Sequence, residues 1–185
     1  MNIDLTPVYA GKIAYSDILR DLHHVDLYRL TDDLFVSLES QLASATDAAV
    51  LFIPHDPAAS DPVEQGWTLG HVVAHLTATL EEAATVAVLL ARGVSVEQRL
   101  RFETPWEQLS SLQLVLARLQ ECRRICRALL DAWPDEPHLD ITMTLIPLIG
   151  PMNAIGFYVL GISHGQEHLP QLDEVLHQYS LSQHL

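Results

Sequence analysis

Apolar residues recur every three or four positions in four long stretches of this chain, a spacing that is typical of amphipathic helices. We predict helices over residues 16–44 and 68–92, a third that begins at residue 104, and a fourth over residues 152–179. Each helix would bury one apolar face and expose the opposite one. No stretch alternates apolar and polar residues as a half-buried strand does, so the pattern predicts an all-α fold.

Short signals mark where these helices begin and end. The third helix would begin with residues 104–107, Thr-Pro-Trp-Glu, which have the composition of a capping box with proline at the first helical position. Gly93 would end the second helix. Pro170 lies inside the fourth helix and should kink it, because proline has no amide hydrogen and its ring crowds the preceding turn.

The segment over residues 141–162 is apolar enough to suggest a membrane span, but prolines and glycines interrupt it. We therefore expect a loop that leads into a buried helix, and no association with a membrane. Four amphipathic helices with one apolar face each are typical of a four-helix bundle. A chain of 185 residues is long enough for one domain, and we assign residues 1–185 to a single domain.

Charge and cysteine content limit the possible partners and location. The formal net charge of −14, from 10 Lys and Arg against 24 Asp and Glu, would repel a polyphosphate, so we expect no nucleic-acid partner. Residues 1–12 lack the pattern of a signal peptide. Cys122 and Cys126, one helical turn apart, are poorly placed for a disulfide bond. These features favour a cytoplasmic protein with free thiols.

The most informative chemical feature is a pair of histidines, His164 and His168, in the last predicted helix. Their spacing places the two imidazoles on one face, about 6 Å apart at Cβ, which suits two ligands of one metal ion. Phe157, Gly161 and Gln171 lie in phase with them, so the face should point inward. The alternative is a pair of histidines that are hydrogen-bonded or exposed.

The second predicted helix contains another such pair, His71 and His75, beside the apolar face that includes Val72 and Leu76. Three imidazoles would meet if the second and fourth helices faced each other. Three nitrogen ligands leave a coordination position for water or substrate, as in catalytic metal sites. Imidazole favours zinc, nickel, iron or copper over magnesium or calcium.

Two motifs in these helices resemble those of the DinB-like superfamily, also described as DinB/YfiT-like metalloenzymes. The first is Trp-Thr-x6-His-Leu and the second is His-x3-His-x2-Gln-Leu; they comprise Trp67, Thr68, His75, Leu76, His164, His168, Gln171 and Leu172. The superfamily includes thiol S-transferases and maleylpyruvate isomerase, and it is distinct from the DNA polymerase that shares the DinB name. The resemblance covers residues 15–179.

The resemblance implies a four-helix bundle with up-down-down-up connectivity, commonly dimeric, that binds a divalent metal ion. Its ligands fall on His75, His164 and His168, with zinc or nickel expected and iron as a further option. The resemblance also implies a metal-dependent enzyme of thiol S-transferase or isomerase type, which acts on a small molecule with a low-molecular-weight thiol as cosubstrate. The alternatives are a non-catalytic metal-binding or stress-related homodimer and a metal-dependent hydrolase.

Residues 164–168 also match the inverted zinc-protease pattern H-x-x-E-H, in which Glu167 would be the general base. That class needs a further downstream ligand, and only His177 or His184 follows. Glu167 is otherwise an exposed carboxylate or one that orients an imidazole. The long connection over residues 46–66 could cover the mouth of the site.

Several other polar residues have two interpretations. His71 falls where the superfamily is variable, so it would lie at the rim of the cleft, next to the ligands, or at the surface. His23 is in phase with the first apolar face and would reach the cavity or be a hydrogen-bonded core residue. Arg123 would bind an anion or pair with a carboxylate. No cluster of basic residues marks a carboxylate or phosphate substrate.

Overall fold

The computed structural model describes residues 2–55 and 66–184, and within them the chain is all-helical, as predicted. The helices are α1 (Thr6–Tyr9), α2 (Tyr15–Leu19), α3 (His24–Leu42), α4 (Asp47–Leu51), α5 (Leu69–Ala91), α6 (Leu112–Asp131), α7 (Ala154–Glu167) and α8 (Leu169–Ser182). Residues 56–65, part of the connection that could cover the site, lie outside the described residues.

Four helices enclose the core. Helices α3 and α5 each pack against both α6 and α7, while α8 contacts α3, α5 and α7. Buried side chains follow one face of α3 and α6, as predicted, whereas α7 is buried on all sides over most of its length, so the prediction of one exposed face is wrong for α7. Fully buried leucines are found on each of α3, α5, α6 and α8: Leu27, Leu30, Leu34, Leu38, Leu69, Leu76, Leu90, Leu119, Leu130 and Leu172.

The second predicted helix is confirmed as α5. The Thr68 hydroxyl caps it by accepting a hydrogen bond from the His71 amide at 3.2 Å, and Gly93 follows its end with φ of +79°, a left-handed conformation that favours glycine. By length and composition α5 could cross a membrane, with a mean hydropathy of 1.4. However, 72% of its most apolar window is buried inside the protein, so α5 is a core helix.

The predicted start of the third helix is wrong. Residues 104–107 form no capping box, and only a short 3-10 helix, Trp106–Gln108, occurs there. The α6 helix begins at Leu112, after Ser111, whose hydroxyl accepts a hydrogen bond from the Leu114 amide at 3.3 Å. Tertiary packing overrides the local signal here, because this segment lies against the start of α5 and buries Leu109.

The first and fourth predicted helices are each divided in two. The first is divided into α2 and α3, with His23 at the start of α3. In the fourth, α7 ends at Glu167 and α8 begins at Leu169, so the expected kink at Pro170 is confirmed as a break at the single residue His168. Pro170 occupies the first turn of α8, where its missing amide hydrogen costs nothing.

The apolar segment over residues 141–162 is a loop followed by a buried helix, as predicted. In α7, every residue from Ala154 to Ser163 is buried. The preceding loop is held by an isolated bridge in which Met143 and Met152 exchange backbone hydrogen bonds of 2.9 Å.

Gly161 allows α7 to approach α5 closely. A Cβ atom at this position would lie 2.4 Å from the Cβ of Ala83, well inside van der Waals contact. His164 follows one turn later on α7. The absence of a side chain at Gly161 therefore sets the helix separation beside the candidate site.

We predict that Gly161→Ala lowers the free energy of unfolding by about 1–3 kcal/mol, because the added methyl group overpacks the contact with Ala83. Urea denaturation in the presence of a chelator measures this change. Gly165→Ala is the matched control on the same helix. Its added Cβ would meet the end of the flexible Leu34 side chain at 2.7 Å, so its cost should be smaller. Equal stability of Gly161→Ala and the wild type would contradict the proposed close contact.

Candidate metal centre

Three histidines from two distant parts of the chain meet between α5, α7 and α8: His75, His164 and His168, here called the histidine triad. Nε2 of His164 lies 3.1 Å from Nε2 of His75 and 3.1 Å from Nε2 of His168. One ligand atom from each residue lies within 4.8 Å of the others, and all three side chains are partly buried. The structure therefore brings together the three residues that the sequence singles out.

Local structure explains how each imidazole is placed. Thr68 caps α5 and so fixes the start of the helix two turns before His75. His164 lies in the last turn of α7, and His168 is the residue between α7 and α8. His168 has helical torsions, with φ of −84° and ψ of −12°. Its side chain therefore remains on the same face as that of His164, one turn earlier, although α7 ends before it.

A hydrogen bond orients His168, and a carboxylate lies near His164 at a distance too long for a hydrogen bond. Nδ1 of His168 donates to Oε1 of Gln171 at 2.7 Å, which leaves Nε2 with its lone pair facing the triad. Nδ1 of His164 lies 3.7 Å from Oε2 of Glu167. Outer partners of this kind fix the tautomer of a metal-ligating imidazole.

His75 has a different neighbour, Arg101. Nη2 of Arg101 lies 3.1 Å from Nδ1 of His75 and also 3.1 Å from the backbone oxygen of His75. A guanidinium group only donates, so Nδ1 is the acceptor in this arrangement. Metal ligation through Nε2 would place the proton of a neutral imidazole on Nδ1, and the backbone oxygen then remains as the acceptor for Arg101.

Burial lowers the pKa of His75 and of His164 from 6.5 to about 4. The charge of Arg101 adds to the shift at His75, and neighbouring His168 adds to the shift at His164. Burial lowers the pKa of His168 too, against the opposing effect of its hydrogen bond to Gln171. All three imidazoles are therefore neutral at pH 7, the form that binds a metal ion.

Two tryptophans enclose His71 beside the triad. The His71 ring stacks on Trp67 at 4.3 Å and on Trp106 at 5.2 Å between ring centroids, with interplanar angles of 14° and 6°. Trp67 also contacts the His75 ring at 4.7 Å. His71 is thus next to the triad without belonging to it, as expected for the variable position of the first motif.

The histidine triad borders a cleft of about 520 Å³. His75 and His164 line it directly. One wall is apolar and is formed by α5, α7 and the loop before α7: Ala83, Leu145, Ile146, Phe157, Leu160 and Gly161. Tyr9 of α1 adds a phenol at the cleft. A cleft of this volume suits a small molecule.

Sequence reasoning missed the charged side of the cleft. Arg99, Arg101 and Glu103 line it, whereas Leu100 and Phe102 between them are exposed, by 39% and 84%. From the sequence we expect no basic cluster and name neither of these two arginines; in the structure they lie among the carboxylates of Glu82, Glu103 and Glu167. The sequence does contain a signal for this side of the cleft, because charged and apolar residues alternate over residues 99–103. Such alternation is typical of a segment whose successive side chains face opposite sides.

The model of the DinB superfamily matches this chain over residues 29–172. The chain belongs to this superfamily. The matched range includes both motifs and all three histidines of the triad. No curated protein and no solved structure matches the chain significantly.

The donor set of this DinB superfamily protein fits a divalent metal ion. Zinc–nitrogen bonds of about 2.0–2.1 Å in a tetrahedral site place two nitrogens roughly 3.3 Å apart. The two Nε2–Nε2 distances of 3.1 Å in the triad are close to this value. Three neutral imidazoles also match the preference of zinc, nickel and iron for nitrogen ligands.

Among the described residues there is no further metal ligand of the kind that the inverted zinc-protease class needs. His177 and His184 are exposed, and the only group of His, Cys, Asp and Glu that could hold a metal ion there is the triad. Glu167 is exposed, which confirms the interpretation of this residue as an exposed carboxylate. Its Oε2 lies 3.7 Å from Nδ1 of His164.

His23 and Arg123 do not contribute to the cleft. His23 is exposed at the start of α3, so both interpretations of this residue, in the cavity or in the core, are wrong. Arg123 donates to Oδ1 of Asp32 at 2.8 Å, and Nη1 lies 3.9 Å from Glu39. The pairing of Arg123 with carboxylates is confirmed. Cys122 and Cys126 are buried free thiols, as predicted.

From the lowered pKa values we predict that the metal-free protein loses stability as the pH falls from about 6.5 toward 4. Unfolded histidines take up protons near pH 6.5, whereas folded His75 and His164 stay neutral until about pH 4. Between about pH 6.5 and pH 4 the unfolded chain therefore binds more protons than the folded protein, and this lowers the free energy of unfolding. Urea denaturation in chelator, at about pH 7 and about pH 5.5, measures the difference in the free energy of unfolding.

The double variant His75→Gln/His164→Gln provides the comparison. It should lose less stability than the wild type between the two pH values, because the two groups that prefer to stay neutral in the fold are gone. The same loss in both proteins would show that the two imidazoles are not held in the neutral form.

Proposed function

We propose that this DinB superfamily protein is a metal-dependent enzyme of thiol S-transferase or isomerase type. The observation that carries the proposal is the convergence of three imidazole nitrogens at the edge of a cleft. Among the described residues no fourth His, Cys, Asp or Glu joins the group. A coordination position therefore remains for a ligand that enters through the cleft.

His75, His164 and His168 would hold the ion, with zinc or nickel as the best match and iron as a further option. A divalent ion at this position supplies a positive charge that lowers the pKa of a bound thiol or water. The residues of the chain position the ligands and the substrate. Gln171 orients His168, and Trp67 and the apolar wall of the cleft exclude water. The cleft holds the electrophilic small molecule beside the thiol.

The arrangement of the helices supports the bundle that the resemblance implies. Because α3 and α5 each pack on α6 and α7, the four long helices form a closed ring of contacts. We propose up-down-down-up connectivity for them, with a homodimer as the functional form. The two buried free thiols fit a reducing, cytoplasmic location.

Metal-dependent hydrolysis is the second candidate, and the position of Glu167 favours it. This carboxylate lines the cleft and lies 3.7 Å from His164. It could accept a proton from an attacking water molecule. The two candidates share the metal site and differ in the nucleophile.

We predict that His75→Ala, His164→Ala and His168→Ala each weaken zinc binding more than the roughly 10- to 100-fold that is typical for loss of an outer partner. Equilibrium dialysis with detection by mass spectrometry measures the affinity. The fold should persist, because the apolar helix faces supply most of its stability.

His71→Ala is the matched control, since this residue lies one turn from His75 on the same helix and outside the triad. It should change zinc affinity much less than the ligand variants. Full zinc binding in all three triad variants would refute the ligand assignment, and loss of zinc in His71→Ala would show that the wrong histidine of α5 was chosen.

We further predict that a small thiol changes the visible absorption spectrum of the cobalt-substituted protein, because it enters the open position. 2-Mercaptoethanol is the probe and its thioether analogue is the control, which should leave the spectrum unchanged. A spectrum that responds to neither compound would contradict the thiol mechanism and favour a non-catalytic homodimer or the hydrolase.

A further inference from the structure

The cleft contains a second polar feature that the metal centre does not use, the ion pair of Arg99 with Glu82. Nε of Arg99 donates to Oε1 of Glu82 at 3.0 Å, and Nη2 donates to Oε2 at 2.5 Å. This is the bidentate geometry that orders a guanidinium group best. The Glu82 side chain is 4% exposed, whereas that of Arg99 is 53% exposed. The buried carboxylate thus fixes one edge of a guanidinium that lies at the cleft surface.

The donors of the two cleft arginines are used differently. Each guanidinium nitrogen of Arg101 makes at least one hydrogen bond: Nη1 donates to Thr79, and Nε and Nη2 donate to Glu103 at 3.2 and 2.7 Å. In Arg99, by contrast, Nη1 makes no hydrogen bond within residues 2–55 and 66–184. A polar ligand in the cleft would therefore find its free donor at Arg99.

The balance of charge restricts the ligand. The cleft is lined by two guanidinium groups and by the carboxylates of Glu82, Glu103 and Glu167. In the metal-free protein this lining has three carboxylates and two guanidinium groups, an imbalance that disfavours a dianion such as phosphate more than a monoanion. A single carboxylate needs only one free guanidinium edge. A divalent ion at the histidine triad would add positive charge and would favour an anion further. The rest of the lining includes the apolar residues of α5, α7 and the loop before α7. Together these features match a small molecule with one carboxylate and an apolar body.

We propose that Arg99, held by the buried Glu82, is the subsite for the carboxylate of a small monocarboxylate ligand whose apolar part lies against Leu145, Ile146, Phe157 and Leu160. The inference rests on the proposed function, since it names the class of substrate that the cleft presents to the histidine triad. Arg99 is a binding residue in this assignment, and Glu82 positions it.

Hexanoate and its neutral analogue hexanamide are suitable probes for this subsite. Isothermal titration calorimetry on the full chain, freed of metal by a chelator, measures both affinities. Hexanoate should bind roughly tenfold or more tightly than hexanamide, because only the carboxylate forms a hydrogen bond in which both groups are charged. Acetate should bind more weakly than hexanoate, because it has almost no apolar surface to bury.

The test variant is Glu82→Gln/Arg99→Gln. Removing Arg99 alone would leave a buried unpaired carboxylate and could unfold the protein, whereas the double change keeps a neutral pair. It should abolish the preference for hexanoate and keep the binding of hexanamide, which also reports that the cleft is intact. If the double variant does not fold, Arg99→Lys is the substitute variant, because it keeps the positive charge and loses the bidentate donor geometry. It should reduce the preference for hexanoate over hexanamide.

The matched control is Glu121→Gln/Arg124→Gln. This pair on α6 has the same bidentate geometry, with distances of 2.8 and 2.7 Å, but it is exposed and does not line the cleft. The control should keep the wild-type preference for hexanoate. Equal binding of hexanoate and hexanamide to the wild type would overturn the proposal, and so would a preference that survives in the Glu82→Gln/Arg99→Gln variant.

Zinc affinity, measured on the same proteins, separates this subsite from the metal centre. A wild type that prefers hexanoate and fails to bind zinc would refute the metal centre alone. A preference that appears only after zinc is added, and persists in the double variant, would show that the carboxylate binds the metal ion and would overturn the role of Arg99.

Discussion

The contact between α5 and α7 determines the geometry of the candidate metal centre. At Gly161 the backbone of α7 lies against Ala83 of α5, and the distance between His75 and His164 depends on this separation. Three glycines give α7 a weak intrinsic helix propensity, so the helix depends on burial along its whole length. Because protein interiors are close-packed, a shift at this contact would be transmitted to the imidazoles.

The features that could be predicted from the sequence are local or periodic. The sequence predicts α5 well, because three separate signals indicate the same helix. These are the cap at Thr68, the periodic apolar face and Gly93 after its end. The one-turn spacing of His164 and His168 needs only helical geometry. That His75 and not His71 completes the triad depends on how two helices face each other, and the spacing alone leaves this open. The motif of the DinB superfamily supplied that choice, and the structure agrees with it.

The remaining features depend on contacts between distant segments. The capping signal of residues 104–107 is outweighed because the segment packs against the start of α5, where Gly70 leaves room for the backbone of Leu109. The charged side of the cleft comes from residues 99–103, which belong to no helix, so a search for helical periodicity passes over them. The alternation of charged and apolar residues over this segment is visible in the sequence, but it follows the period of two that helices do not have.

His168 belongs to two structural units at once. Its side chain is one corner of the histidine triad, and its backbone joins α7 to α8. With 14 residues, α8 is about 21 Å long, so a change of 10° in its direction at this joint would move its far end by about 3–4 Å. A small change in the backbone torsions of His168 would therefore displace the far end of α8, near Ser182, much more than His168 itself.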